Sequence, residues 1–527
     1  MKRTCRIILS LLLAAALLTA LFGCGAQTAS PAEMPKAKVR AKTLLLTDYP
    51  DAENALTLAS LQGALANVSE TQILIRDGAY AQYLPYTDAA VSEAQPDGSP
   101  WDTASLLAAY GNLAAGYVLC DDAGAAAAVS VAGALQAVIV PEAMQSAAEA
   151  AGLTLLEDVR GWDDEALRAS EYFGRLHRQI AVEQPVDMAP KLVDLAVMGG
   201  LYFGFSASDK VKDHTKTFAF LDDNAVIFGW NNVLGEHDTV ESFSGLNACM
   251  IPADHGCNYS VLSGFAGETF TQKTEAADLP AGPRHTVCLI LTDGDNMQWM
   301  TSSFTNRNHF GSPLRGEFPM GWGIAASIDT VAAPMARYLF ENMTPNDEFV
   351  TQISGVGYTF PSQWKNKAAL AEMAAQLNAH MKNTGASVAV VLDDRGFDSP
   401  APDTLLSQPD IAALFYFDYG NYAQLRGAVR RVNGKPLISA RYRLWNNRKG
   451  SSPEEIAASI NAASKDPAKV DAYSLVAVHA WSGIDENGDF IEGGNTMLAV
   501  QRLVNALGED VVLVTPSRFA ELISQAE

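Results

Sequence analysis

Basic residues are scarce. The chain has 37 Lys and Arg against 60 Asp and Glu, a formal charge of −23. An anionic surface of this kind repels phosphate backbones, so no nucleic-acid partner is expected. Cysteine is rarer still, with six in 527 residues, and it forms neither a CxxC pair nor a Cys/His zinc spacing. Among eight histidines no H-x-x-x-H pair occurs, which weakens a metal-dependent esterase or deacetylase reading. GxSxG, HExxH, Walker A and a strand-following GxGxxG are all absent, which removes the usual serine hydrolase, zincin, P-loop and dinucleotide-binding classes. No metal and no cofactor is expected. Beyond the first residues no apolar run is long enough to cross a bilayer. Carboxylates and aromatics are the chemistry that remains.

The start of the chain, "MKRTCRIILSLLLAAALLTALFGCGAQTAS", has a basic head, an apolar stretch from Ile7 to Phe22 and the ending "LFGC". That order resembles a bacterial lipoprotein signal, with residues 1–23 removed and Cys24 lipidated. Residues 24–42 then form a flexible tether, so the working part is expected to be exported and held at the membrane through its lipidated N-terminus. Loss of Lys2, Arg3 and Arg6 with the leader brings the formal charge to about −26. Of the cysteines left to the folded part, Cys249 and Cys257 are spaced so that they can pair in an oxidising compartment; buried apolar thiols are the alternative.

From Thr43 short β-branched runs alternate with alanine-rich stretches, as in "TLLLTD", "ENALTLASLQGALA" and "TQILIRDG". This pattern predicts parallel βαβ units, giving an α/β N-terminal region over 43–272 with two subdomains allowed. "TQKTEAADLPAGPRHT" has linker composition, placed at 273–285. A second series follows over 286–527, with strand candidates "TVCLILTD", "MGWGIAAS", "EFVTQISG", "SVAVVLDD", "AALFYFDY", "KPLISARY", "SLVAVHAW" and "DVVLVTPS". Eight such runs in this length predict a (β/α)8-like barrel; a doubly wound open sheet is the alternative.

In a parallel barrel the C-terminal strand ends share one face, where the site is built. The residues expected there are Asp293, Asp295 and Asn296 after the first run, Tyr358 after the third, Asp393 and Asp394 after the fourth, Asp418 and Tyr419 after the fifth, Arg441 and Arg443 after the sixth, and His479 and Trp481 after the seventh. Two carboxylates at one strand end suit acid/base work, because burial beside a like charge raises one pKa and leaves its neighbour ionised. Asp-Gly-Asp-Asn is equally good turn chemistry. Asp418 among aromatics suits a sugar ring, while Arg441 and Arg443 share a strand face and either bind a ligand or balance the carboxylates. Glu236, Asp254 and Asn258 are rim candidates from the N-terminal region. "DENGDFIEGGN" resembles a calcium loop without its ligand register, and no ion is expected in it.

One stretch is more specific. "GVGYTFP", Gly355 to Pro361, resembles the signature of the GxGYxYP family, a bacterial family assigned to the glycoside hydrolases by inference; Phe360 stands where the signature has tyrosine. "LTDGDNMQW" is similar to a segment such proteins carry upstream, and the resemblance spans nearly all of the mature chain, including an N-terminal companion domain. It implies glycosidase activity on a glycan; of the carboxylates at the strand ends, Asp293 or Asp295 is then expected to be one catalytic group and Asp393 or Asp418 the other. A non-catalytic glycan-binding protein and a deacetylase-like carbohydrate esterase are the competing readings. Gly355 and Gly357 are expected to let the chain turn beneath the ligand, with Tyr358 facing the cleft and Pro361 starting the next helix.

Overall fold

Four larger sheets and a two-stranded ribbon, Ser482–Ile484 with Phe490–Glu492, account for the architecture of the computed structural model, which describes residues 33–527 except 276–278, 280, 395 and 420–423. The expected leader, Cys24 and the tether as far as residue 32 lie outside the described residues. The first sheet joins β1 (Thr43–Asp48), β2 (Thr71–Arg76) and β3 (Ala90–Ser92) in the order β2-β1-β3. The second joins β4 (Tyr117–Cys120), β5 (Val138–Pro141) and β6 (Leu155–Asp158) in the order β5-β4-β6. The third, β10-β9-β7-β8, is built from β7 (Ile180–Gln184), β8 (Tyr202–Phe205), β9 (Val226–Gly229) and β10 (Cys249–Pro252). All pairings in these sheets are parallel.

The fourth sheet comprises β11 (His285–Leu291), β12 (Met320–Ala325), β13 (Asp347–Gln352), β14 (Val388–Asp393), β15 (Ala413–Asp418), β16 (Val429–Val432), β17 (Lys435–Ser439), β18 (Tyr442–Leu444) and β19 (Tyr473–Val478). Its order is β16-β17-β15-β14-β13-β12-β11-β19-β18, with the short strand Val511–Leu513 beside β11. Strands β11, β12, β13, β15 and β19 are buried along their whole length, as expected of parallel strands covered on both faces. The result is a curled half-barrel. No ladder joins β17 to β18 among the described residues, so eight-stranded closure is not seen. The two strands are separated only by Ala440 and Arg441; the first donates to Tyr416 O of β15 and the second to Leu475 O of β19, so one stretch of backbone holds both margins.

Cys120, Cys249, Cys257 and Cys288 are free thiols, so the pairing allowed for Cys249 and Cys257 does not form. No helix among the described residues is long and apolar enough to cross a membrane.

The signature segment shows why glycine is needed. Tyr358 and Met250 of β10 exchange backbone hydrogen bonds at 2.6 and 2.9 Å, so the chain leaving β13 lies against the edge of the third sheet. A Cβ on Gly357 would stand 2.7 Å from Met250 O, and one on Gly355 would stand 2.6 Å from Met373 Sδ. The glycines make room for protein and not for a ligand, which corrects the expectation placed on them. Pro361 opens only the 3-10 turn Pro361–Gln363; the long helix Lys367–Thr384 starts later, capped by Asn366.

Candidate active site

The loop leaving β11 carries two of the expected carboxylates, and its conformation is fixed by its glycine. A Cβ on Gly294 would lie 2.0 Å from the carbonyl carbon of Gly323, so only glycine lets this loop rest on the backbone of β12. Gln352, at the end of β13, clamps it by accepting from Gly294 N–H at 2.8 Å and donating to Leu291 O at 2.9 Å. Asp293 takes a positive φ of 62°, accepts from the Thr292 hydroxyl and lines a cavity together with Asp295.

That cavity has a volume of about 320 Å³, within the range of small-molecule sites, roughly 300–1,000 Å³. Ile353, Leu392 and Phe417 from the ends of β13, β14 and β15 form its apolar wall, and Tyr358 and Tyr419 add phenol rings. His479 and Trp445 stack face to face, with centroids 4.5 Å apart and planes at 7°, and the Arg448 guanidinium sits 4.5 Å over the Trp445 ring. Arg443 lines the cavity too, donating to Asp418 O at 2.7 Å. The remaining carboxylate is Glu236, at the first turn of helix Glu236–Ser244, whose Oε1 accepts from the Tyr358 hydroxyl at 2.8 Å.

Burial pushes Asp295 up to about 8, with the Asp293 and Glu236 charges adding to it. Glu236 is also raised, by burial and by Asp293, while the Tyr358 hydrogen bond pulls it back. His479 is pushed down by burial, against the pull of Asp293, so its imidazole is neutral near pH 7. The site therefore sets a neutral carboxyl beside ionisable partners.

Several expected residues lie elsewhere. Asp393 and Asp418 are register partners on β14 and β15, and since Leu392 and Phe417 face the cavity, alternation turns both aspartates away from it. Asp393 instead accepts from Ser362 N–H at 3.0 Å and Ser362 Oγ at 2.7 Å, holding the turn after the signature. Arg441 does not share a face with Arg443, because the backbone bends at Ala440–Arg441; it pairs with Asp471 at 3.3 Å. Gly355 and Gly357 are packed against protein as described. Asn296 and Trp481 line a neighbouring cavity. Of the rim candidates, Glu236 joins the site, and Asn258 is buried at β2, accepting from Ile75 N–H at 2.9 Å. Trp445, Arg448 and Thr292 were missed; they sit in irregular segments with no periodicity to give them away.

His237, Asp238 and Glu241, one turn along the same helix, bring a ligand atom each within 4.8 Å of one another. Both ring nitrogens of His237 already face carboxylates, Asp238 at 3.2 Å and Asp394 at 3.5 Å. Burial opposes the charged form, yet these carboxylates raise the imidazole's pKa, which favours a cation over a metal ligand.

Residues 283–524 match the model of the "GxGYxYP putative glycoside hydrolase C-terminal domain", 114–176 match the "GxGYxYP_N second domain" and 177–264 the "GxGYxYP third domain". The chain belongs to the GxGYxYP family. Both the Asp293–Asp295 loop and the signature fall within the C-terminal domain of this GxGYxYP protein, while Glu236 comes from the third domain. A crystal structure from Bacteroides thetaiotaomicron VPI-5482, described as a "putative hydrolase", superposes with a TM-score of 0.82 over 95% of this chain and 98% of its own, at 24% identity, which speaks to the shared fold. No curated protein matches the chain.

Proposed function

We propose that this GxGYxYP protein is a glycoside hydrolase, exported and lipid-anchored through Cys24, that cleaves glycosidic bonds with paired carboxylates. The observation that carries the reading is Asp295, whose carboxyl stays protonated to about pH 8 beside Asp293 in an aromatic-walled cavity. A glycosidase needs such a proton donor for the leaving oxygen and an ionised carboxylate opposite it. Asp295 is the acid. Asp293 and Glu236 are the candidates for the ionised partner, and the strand ends around them act as the mouth of a barrel-like sheet does. Tyr358, Tyr419 and the Trp445–His479 stack offer ring faces and edges to a sugar. Export and anchoring are supported by the leader and by Cys24 in "LFGC".

The chain from Ala26 onward retains the compact unit Ala32–Glu527 and is suited to the test. Incubated with a panel of oligosaccharides and polysaccharides, with and without chelator, its products are read by mass spectrometry beside Asp295→Asn. Shortening by whole sugar units, lost in the variant and indifferent to chelator, is the expected result. Loss of acyl groups at constant chain length would assign an esterase, and glycan binding without turnover a binding protein.

A further inference from the structure

On the other side of the carboxylate loop lies a second cavity, of about 370 Å³. Its walls come from several parts of the chain: Asp77 follows β2, Lys191 follows β7, His255 follows β10, Gln298 and Trp299 sit on the short helix Met297–Met300 capped by Asn296, and Trp481 follows β19. Two segments divide it from the first cavity. Asp293 and Asp295 face the first while Asn296 and Trp299 face the second, and His479 faces the first while Trp481 faces the second.

Its chemistry is that of a ligand site. Trp299 is 3% exposed, and its indole N–H is buried without any acceptor among the described residues. Trp481, half-buried, leans on Trp299 with ring centroids 4.8 Å apart. Lys191 and Asp77 form an ion pair, and the Lys191 ammonium lies 4.1 Å over the Tyr49 ring. An ammonium, a carboxylate and two amides offer donors and acceptors together beside an aromatic ring, and a hydroxyl can accept from the first and donate to the second.

We infer that this cavity is a second sugar-binding subsite, taking a neutral, hydroxyl-rich pyranose unit against Trp481, with its hydroxyls engaging the Asp77–Lys191 pair. The class of ligand rests on the glycosidase reading; the cavity and its unpaired donor do not. Because the dividing wall carries Asp295, a sugar held here also fixes the loop that presents the proton donor.

Calorimetric titration of the Asp295→Asn chain from Ala26 onward, with glucose, galactose, mannose, N-acetylglucosamine and their disaccharides, tests the inference. Two binding events per chain are expected. Adding Ser303→Trp, at an exposed position lining the cavity, should abolish one event and spare the other, with circular dichroism confirming the fold. Trp481→Ala should weaken the same event by about tenfold. A single event indifferent to both changes, or no sugar binding sensitive to either, overturns the proposal. Failure of the glycosidase reading appears separately, as absence of cleaved product from the unsubstituted chain, and leaves the count of binding events unchanged.

Discussion

The Tyr358 hydroxyl donates to Glu236 Oε1 at 2.8 Å across 122 residues of chain. The bond ties the signature tyrosine to the third sheet's helix and so builds one cavity from two parts of the chain. It also lowers Glu236's affinity for its proton, against burial and the charge of Asp293.

Removing that hydroxyl should therefore act through Glu236. Tyr358→Phe is expected to reduce kcat/KM at pH 7 by about 10–100-fold, since hydrogen bonds to charged groups contribute about 1.5–3 kcal/mol. The acidic limb of the pH–rate profile should move to higher pH, because Glu236 loses the bond that favours its ionised form. An unchanged limb would separate Glu236 from the chemistry.

The two signature glycines should differ in stability. Gly357→Ala places a Cβ 2.7 Å from a backbone oxygen, whereas Gly355→Ala meets the movable Met373 side chain. Gly357→Ala should cost about 1–3 kcal/mol by denaturant unfolding, and Gly355→Ala less.

Asp393 is assigned to the turn and not to the reaction. Asp393→Ala strips Ser362 of two hydrogen bonds and should cost about 1–3 kcal/mol of stability, while kcat of the folded variant falls less than tenfold. A loss as large as that of Asp295→Asn would return Asp393 to the catalytic pair.

Asp295 should make the fold less stable in alkali. Its folded pKa, about 8, lies above the ordinary 3.8, so the native state holds a proton that the unfolded chain releases. Stability from this group is full below about pH 4, declines as pH rises, and is lost by about pH 8. Asp295→Asn should thus be more stable than the parent at pH 8, by up to roughly 6 kcal/mol, and this advantage should vanish near pH 4.

The sequence carried much of this arrangement but not its phase. Asp293 and Asp295 were readable because a polar, glycine-containing run follows a continuous apolar strand, and Glu236 because it stands in a polar-dense loop. Asp393 and Asp418 misled for a physical reason: strands buried on both faces show no hydrophobic alternation, so nothing in "VVLDD" or "FYFDY" tells which side faces the cavity. Arg441 misled because a bend at Ala440 interrupts the strand on which it was phased with Arg443. The parallel βαβ character was legible from alternating runs. The open curl was not, because closure depends on long-range pairing.

The role of Asp295 as the protonated acid of a glycosidase is read from the pH dependence of kcat/KM on a cleaved glycan, measured for the parent chain and Asp295→Asn. An alkaline limb near pH 8 is expected in the parent, and in the variant a loss of about 10²–10⁴-fold at pH 7 together with that limb. Glycan cleavage that persists in Asp295→Asn with its alkaline limb intact would contradict it.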